Sequence, residues 1–393
     1  MWRILWVMIL VGYLLFIYAL LYSRKKVTYP EYTKSFSVVI PCYNEDSAYL
    51  FNCIKSVMNA DGMKKVYLVN DGSTKESTLN MLNRLNSQYF YNNNFKILHQ
   101  ENQGKRKAQA NAMNLVDTEV VVFVDSDTIV KKNCFTELLK PMNDKKVGVV
   151  TAGCLAKNTY SFFTKVLGSM YFSSSYIFRK ASSSVGYMQT VSGACYVFRT
   201  EIFKKLEREY VNQKFLGSAC HVSDDRWLTQ KTQMRFNLIA LFEGDAICYT
   251  YVPETIKSFM RMLIRWKKGF FREAILIWKE PNKSKHKLLL FDSTFNLMVN
   301  YSVLIFKVLF IYVIAYLIVN GLWINLINLL IWFSLWILIF SSAYSMYLFN
   351  YKEGKKMFLY KLVYSYMYEL IFFITIIPAT LQLHKQNSWE NRK

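Results

Sequence analysis

Paired cysteines are missing from this chain of 393 residues: its seven (Cys42, Cys53, Cys134, Cys154, Cys195, Cys220, Cys248) are scattered, with no Cys-x-x-Cys. That spacing excludes a zinc finger and a disulfide framework, leaving reduced thiols in a cytoplasmic domain as the plain reading. Acidic residues are scarce, 27 Asp plus Glu against 49 Lys plus Arg, for a net charge of +22. Such an excess suits nucleic acid, anionic lipid headgroups or an anionic substrate. No basic stripe interleaved with aromatics is present, which argues against a nucleic-acid partner. The cations cluster beside apolar segments instead, as they do on the cytoplasmic face of a membrane. No small-residue cleavage site follows the first apolar run, so that run is not a signal peptide. His221 has too little support around it to be read as a ligand.

What is plentiful is apolar. Hydrophobic residues make up 53% of the chain and aromatics 17%, high values for a soluble enzyme, so part of the chain is expected in lipid. Residues 4–22 form an apolar run near the ~20 residues that span a bilayer. Ser23-Arg24-Lys25-Lys26 follows at once, which predicts an anchor over residues 1–26 with its amino end outside. Residues 289–393 read as a membrane and channel region with spans at 293–319, 322–348 and 361–383 and a cytoplasmic Lys352-Glu353-Gly354-Lys355-Lys356. Three full spans put the basic tail outside, so either the positive-inside bias fails here or the last segment, with Pro378, is re-entrant. Lys307, inside an apolar stretch, either snorkels or faces a polymer channel. Residues 251–288 carry bulky apolar groups and cations at helical spacing, an amphipathic interface region with Arg261, Lys267 and Lys268 toward the membrane surface. Residues 167–178 also read as a stretch lying on that surface.

Between these parts, residues 35–250 alternate strands and helices, which predicts an α/β domain with a parallel, doubly wound sheet and polar loops at one edge. Strands are expected at 36–40, 65–70 and 95–99, and helices at 48–58 and 107–115. The run Val120-Val121-Val122-Phe123-Val124 has the character of a strand buried on both faces. It stops at Asp125-Ser126-Asp127. Two acids one residue apart at a strand end can hold a hard divalent cation, or simply close a solvated turn. Asp71 can accept hydrogen bonds from a base or ribose, and Tyr43 offers a stacking face. Gly104-Lys105-Arg106 joins an open backbone to two cations, as a phosphate site requires. Asp71-Gly72-Ser73-Thr74 is equally a turn and helix cap, and Lys105-Arg106-Lys107 equally a solvated face. Asp224-Asp225-Arg226 is a helix cap, or a general base whose neighbours pin the second carboxylate. Arg265-Trp266 suits a diphosphate and the apolar face of a sugar.

In order and spacing these segments resemble the processive family 2 glycosyltransferases of the bacterial class I hyaluronan synthase kind. The segments are Pro41-Cys42-Tyr43-Asn44-Glu45-Asp46, Asn70-Asp71-Gly72-Ser73, Asn102-Gln103-Gly104-Lys105-Arg106, Val124-Asp125-Ser126-Asp127-Thr128, Phe215-Leu216-Gly217, Ser223-Asp224-Asp225-Arg226-Trp227-Leu228-Thr229 and Arg265-Trp266-x-Lys268-x-Phe270-Phe271-Arg272-Glu273. The likeness covers residues 35–275, with an echo at Trp389 and Arg392. It implies a GT-A, Rossmann-like domain inserted between transmembrane helices, UDP-sugar donors (UDP-GlcNAc and UDP-GlcA for hyaluronan), Mg2+ or Mn2+, and inversion at the anomeric carbon. It further implies a multi-pass protein of a bacterial plasma membrane that extends a polysaccharide among membrane lipids. Carried over, Tyr43, Glu45 and Asp71 hold the nucleotide, Lys105 the diphosphate, Asp125 the nucleotide and Asp127 the metal. Asp225 is the general base, flanked by Asp224 and Arg226; Arg265 meets the diphosphate and Trp266 the acceptor. Ser192, Gly193 and Cys195 line the acceptor sugar. Three positions depart from the family: Met262 stands for Gln, Ala194-Cys195 for Pro-Leu, and Ser223 for Gly. One amino-terminal span is present rather than two. Other amino-sugar or capsule polymers and short oligosaccharides stay open as products. A transporter or scaffold with an inert nucleotide-like domain is the reading from another class.

Overall fold

The computed structural model describes residues 27–280, 286–346, 348 and 351–384. The expected anchor at 1–26 and the tail residues Trp389 and Arg392 lie outside these. Apolar runs rich in β-branched residues form the first strands, β1 (Phe36–Cys42), β2 (Lys64–Asp71), β3 (Phe95–Gln100) and β4 (Val120–Val124), all parallel neighbours. They are linked by helices α1 (Ser47–Asn59), α2 (Glu76–Gln88) and α3 (Lys105–Met113). Asp46 starts α1 by accepting from the backbone N–H of Ala48 and Tyr49. Every residue of β4 is buried, since helices cover both faces of the sheet.

The later half differs from the all-parallel sheet expected. After β5 (Ile129–Val130), α4 (Cys134–Leu139), β6 (Val147–Ala156), α5 (Phe162–Ser173) and α6 (Lys180–Ser184), the chain enters β7 (Cys195–Arg199) from the opposite end. β7 therefore pairs antiparallel to both β4 and β6. The helices α7 (Thr200–Val211) and α8 (Asp224–Phe236) flank a two-stranded ribbon of β8 (Lys214–Phe215) and β9 (Ser218–Ala219), and β10 (Ile239–Thr250) completes an eight-stranded sheet of order β3-β2-β1-β4-β7-β6-β10-β5. The reversal matters for the cleft. It brings the segment entering β7, residues 192–194, to the edge where β1, β2 and β4 end.

Four long helices follow: α9 (Ile256–Leu276), α10 (Lys287–Val319), α11 (Trp323–Met346) and α12 (Lys352–Leu381). By length and hydropathy α10 and α12 can each cross a membrane, and α11 contains a shorter apolar helix over Trp323–Ile339. The 167–178 stretch is not a surface segment. Leu167 and Phe172 are buried, Leu167 packing with Phe259, Leu263, Tyr364 and Ile371 of α9 and α12. Of the α9 cations expected toward the membrane surface, Arg261 is exposed, but Lys267 and Lys268 are buried, and Lys267 Nζ donates to Tyr368 Oη at 3.1 Å. Lys307 is paired with Glu369 Oε2 at 2.7 Å rather than snorkelling to an interface.

Candidate active site

Three loops close the donor end of the cleft by holding one another. Asn44, at φ 47, accepts from the backbone N–H of Thr74 and Lys75 at 2.8 Å, tying the end of β1 to that of β2. Asp71 is fully buried: its Oδ1 accepts from Gln100 Nε2 at 2.6 Å and Gln103 N at 2.9 Å, and its Oδ2 from Gly104 N at 2.9 Å. Burial raises its pKa, partly offset by these bonds. In this geometry Asp71 shapes the loop that starts α3. Glu45 accepts from Ser126 Oγ at 2.7 Å, fastening the β1 loop to the β4 loop, and Tyr43 is half-buried at the same rim.

The centre of the cleft is a charge cluster. Lys105 Nζ stands 2.8 Å from Asp125 Oδ1 and 2.8 Å from Asp224 Oδ2, so one ammonium bridges the end of β4 and the start of α8. Asp225 Oδ2 accepts from Gly193 N at 3.1 Å, and Asp225 Oδ1 from its neighbour Arg226 N at 2.8 Å. A Cβ on Gly193 would lie 3.3 Å from Asp225 Oδ2 and 3.7 Å from Lys105 Nζ, so a larger residue would crowd this cluster. Burial pushes both adjacent carboxyls up in pKa. Asp224 is nonetheless carried below the usual range by the Lys105 ammonium, with Arg106 assisting. Asp225 stays above it, because repulsion from Asp224 adds to burial and Lys105 offsets only part. Two carboxylates with opposite shifts divide the work: the higher one is the better base. Asp127 is half-buried two residues past Asp125, and its charge, after burial itself, holds the Cys53 thiol above the ordinary range.

Arg106 does not join the phosphate side. It is 5% exposed, donates from Nη1 to Tyr210 O at 3.0 Å and from Nη2 to Val222 O at 3.1 Å, and lies over the Tyr210 ring at 4.8 Å. It clamps the segment that leads into α8. There Ser223 takes the left-handed conformation, φ 62, which is the strain a glycine relieves at that position. Gly269 of α9 crosses above it, and a Cβ there would stand 1.7 Å from Ser223 Oγ. The close crossing seats α9 on the start of α8.

The opposite wall is aromatic. Trp266 is 43% exposed, with its ring 6.0 Å from Tyr171 of α5, and Tyr171 Oη donates to Met262 Sδ at 3.5 Å. Arg265, half-buried, precedes Trp266 on α9. Phe270, one turn on, lies 5.2 Å below the Arg226 guanidinium. Ser192 is buried, its N–H donating to Thr151 Oγ1 at 2.9 Å. Cys195 is the one expected acceptor residue that must be withdrawn. It is the first residue of β7, fully buried in one core cluster with Cys134 and Cys248, whereas Gly193 lies in the loop before the strand. Arg179, Tyr171 and Gln189 belong to the cleft but were not singled out in the sequence; Arg179 lies in a π-helical turn, Ser174–Arg179, which helical spacing does not reveal.

A divalent ion fits the donor set. Among the described residues no three His, Cys, Asp or Glu side chains gather as a metal cage. Mg2+ and Mn2+ bound with a nucleotide need only one or two protein carboxylates, the rest of the shell being phosphate and water oxygens. Asp127, with Asp125 beside it, supplies that number and type.

The family model for glycosyl transferase family 2 matches residues 37–207. Over 250 residues the chain is 35% identical to a hyaluronan synthase of Streptococcus pyogenes, covering 62% of this chain and 59% of that protein. It is 30% identical over 246 residues to an N-acetylglucosaminyltransferase of Bradyrhizobium diazoefficiens, covering 62% of this chain and 50% of that protein. The chain thus spans little more than half the length of these relatives. Among solved structures, a mannosyltransferase from Pyrobaculum calidifontis, in complex with GDP-Man and Mn2+, superposes with a TM-score of 0.65 over 93% of this chain and 96% of that one at 18% identity. That likeness shows the shared GT-A fold. Residues 37–207 thus form a domain that matches glycosyl transferase family 2.

Proposed function

We propose that the protein is a membrane-embedded, processive, inverting β-glycosyltransferase that builds a polysaccharide from UDP-sugars, with hyaluronan from UDP-GlcNAc and UDP-GlcA as the product. The observation that carries this reading is the cluster Lys105, Asp125, Asp224 and Asp225, set in a domain 35% identical to a hyaluronan synthase. Asp225, the carboxylate of higher pKa, takes the proton of the acceptor hydroxyl as that oxygen attacks the anomeric carbon of the donor. Asp224 stays ionised against Lys105 and keeps the two acids from exchanging roles. Lys105 and Arg265 face the charge that develops on the departing diphosphate, and Tyr43, Glu45, Asp125 and the loop shaped by Asp71 hold the nucleotide. Asp127 would hold Mg2+ or Mn2+, which neutralises the diphosphate when bound. Trp266 offers the acceptor sugar a ring face. The α10–α12 helices carry the product outward through a bacterial plasma membrane, with the catalytic domain cytoplasmic.

A second reading, favoured by the 30% identity to an N-acetylglucosaminyltransferase, is an amino-sugar oligomer made from UDP-GlcNAc alone. UDP release from membranes carrying the protein separates the two. Hyaluronan synthesis requires sustained release only when UDP-GlcNAc and UDP-GlcA are both present. Sustained release with UDP-GlcNAc alone favours the second reading, and no release with any nucleotide sugar removes both.

A further inference from the structure

Several recessed cations in the body of this protein are paired with acids, and others, such as Arg106 and Lys267, meet carbonyl or hydroxyl oxygens. Lys105 bridges Asp125 and Asp224, Arg235 meets Glu209 and Glu280, and Lys231 meets Glu280. Arg179 and Arg226 have three side-chain bonds between them, all to neutral oxygens. Among the described residues neither guanidinium has a carboxylate within ion-pair distance, although both lie in the cleft.

The two converge on one short segment. Arg179, at the end of the π-helical turn, donates from Nη1 to Ser174 Oγ at 3.0 Å and from Nε to Thr190 O at a long 3.4 Å. Arg226 donates from Nη1 to Gln189 Oε1, also at 3.4 Å, and lies over the Phe270 ring. Gln189 and Thr190 are adjacent and lead to Gly193, whose N–H holds Asp225. A guanidinium has five N–H donors. Arg179 uses two of them and Arg226 one in these contacts, so most of both forks is uncommitted. The acids that face them are Asp225, Asp292 and Glu273. Asp225 is already held by two backbone N–H groups, Asp292 accepts from Asn296 Nδ2 at 2.6 Å, and Glu273 from Gln213 Nε2 at 2.7 Å. The Cys154 and Cys248 thiols and Tyr171 also face Arg179. A planar fork without its own acid is a receptor for a planar oxyanion, and two forks around one site are a strong one.

We infer that Arg179 and Arg226 receive a carboxylate carried by the acceptor, so that they hold the chain end whenever the sugar beside Asp225 is a uronic acid. This rests on the reading of the cleft as a sugar-transfer site. The donor diphosphate has its own cations in Lys105 and Arg265, and the two arginines stand on the side toward Phe270 and Tyr171, where the aromatic wall meets the acceptor.

The test uses the full chain in detergent, with a glucuronate-ended oligosaccharide and its methyl ester, which keeps the shape and removes the charge. Calorimetry is expected to show the acid binding about tenfold or more tighter than the ester, as a charge-assisted hydrogen bond implies. Arg179→Gln should weaken the acid to the level of the ester and leave the ester unchanged, while Arg179→Lys keeps part of the preference. Equal binding of acid and ester to the wild type overturns the inference without any variant. So does an Arg179→Gln protein that loses both ligands equally, or one that loses UDP by the same factor as the acid, which would put Arg179 on the donor. If the wild type releases no UDP from any nucleotide sugar, the transferase reading fails, a result separate from the acid and ester comparison.

Discussion

The two walls of the cleft are built differently. On the donor wall, Asp71 is held by Gln100 and the backbone of Gln103 and Gly104, and Lys105 by Asp125 and Asp224, through charge-assisted bonds of 2.6 to 2.9 Å, so the charged groups are in place before any ligand arrives. On the acceptor wall the contacts are softer: a hydroxyl on a thioether at 3.5 Å, rings 6.0 Å apart, and guanidinium bonds of which two are 3.4 Å and one 3.0 Å, all to neutral oxygens. The difference teaches where the protein's chemistry and its selectivity reside. In the proposed reaction, preorganised charge would serve the leaving diphosphate, common to every nucleotide sugar, whereas a loosely tied wall can change with the sugar it accepts. The departures from the family, Ala194, Cys195 and Met262, fall on or behind that second wall.

The strongest attack on this contrast is Asp225→Asn. Removing the base should lower sugar transfer by about a thousandfold, within the range general base catalysis supplies, while the affinity for UDP stays near wild type by calorimetry. Lys105→Met should follow, with about a hundredfold loss in kcat/KM, because two carboxylates then face each other without their shared cation. Arg106→Met probes the clamp rather than the chemistry. It should cost about 2 kcal/mol of stability in a denaturant titration, for the loss of two bonds to buried carbonyls, with UDP release by the folded fraction little changed.

The pH dependence sharpens the division between the paired acids. A base must be ionised, so activity falls as pH drops through the raised pKa of Asp225. Burial and then the Asp224 charge raise that pKa. Asp224→Asn removes the second cause, and the acid limb of kcat/KM against pH should move to lower pH. A limb that stays put would mean that the two acids do not sense each other. The smallest effect expected is that of Met262→Gln, which restores the family's residue in place of the sulfur that Tyr171 meets. KM for acceptor should change by about two- to fivefold, with donor KM constant, as for one modest hydrogen bond.

Much of the donor wall was legible in the residues themselves. Apolar runs such as Val120–Val124 stop abruptly at polar loops, and parallel strands gather such loops at one edge. The acceptor wall was not. It depends on β7 entering the sheet reversed, which no local pattern announces, and on a π-helical turn that displaces Arg179 from ordinary helical spacing. Cys195 shows the same limit at one residue: Gly193, in the loop before β7, reaches Asp225, but Cys195 opens the strand itself and is packed in the core. Arg106 and Lys105 are adjacent cations that read alike, yet the helix points one at carboxylates and the other at carbonyls.

The proposed activity is best tested on its product. Membranes carrying the protein are given UDP-GlcNAc and UDP-GlcA singly and together, and the polymer is treated with a hyaluronan-specific lyase. A hyaluronan-forming enzyme should yield a long polymer that forms only with both donors and is degraded completely. A polymer formed from one donor alone, or one that resists the lyase, would contradict the proposed activity.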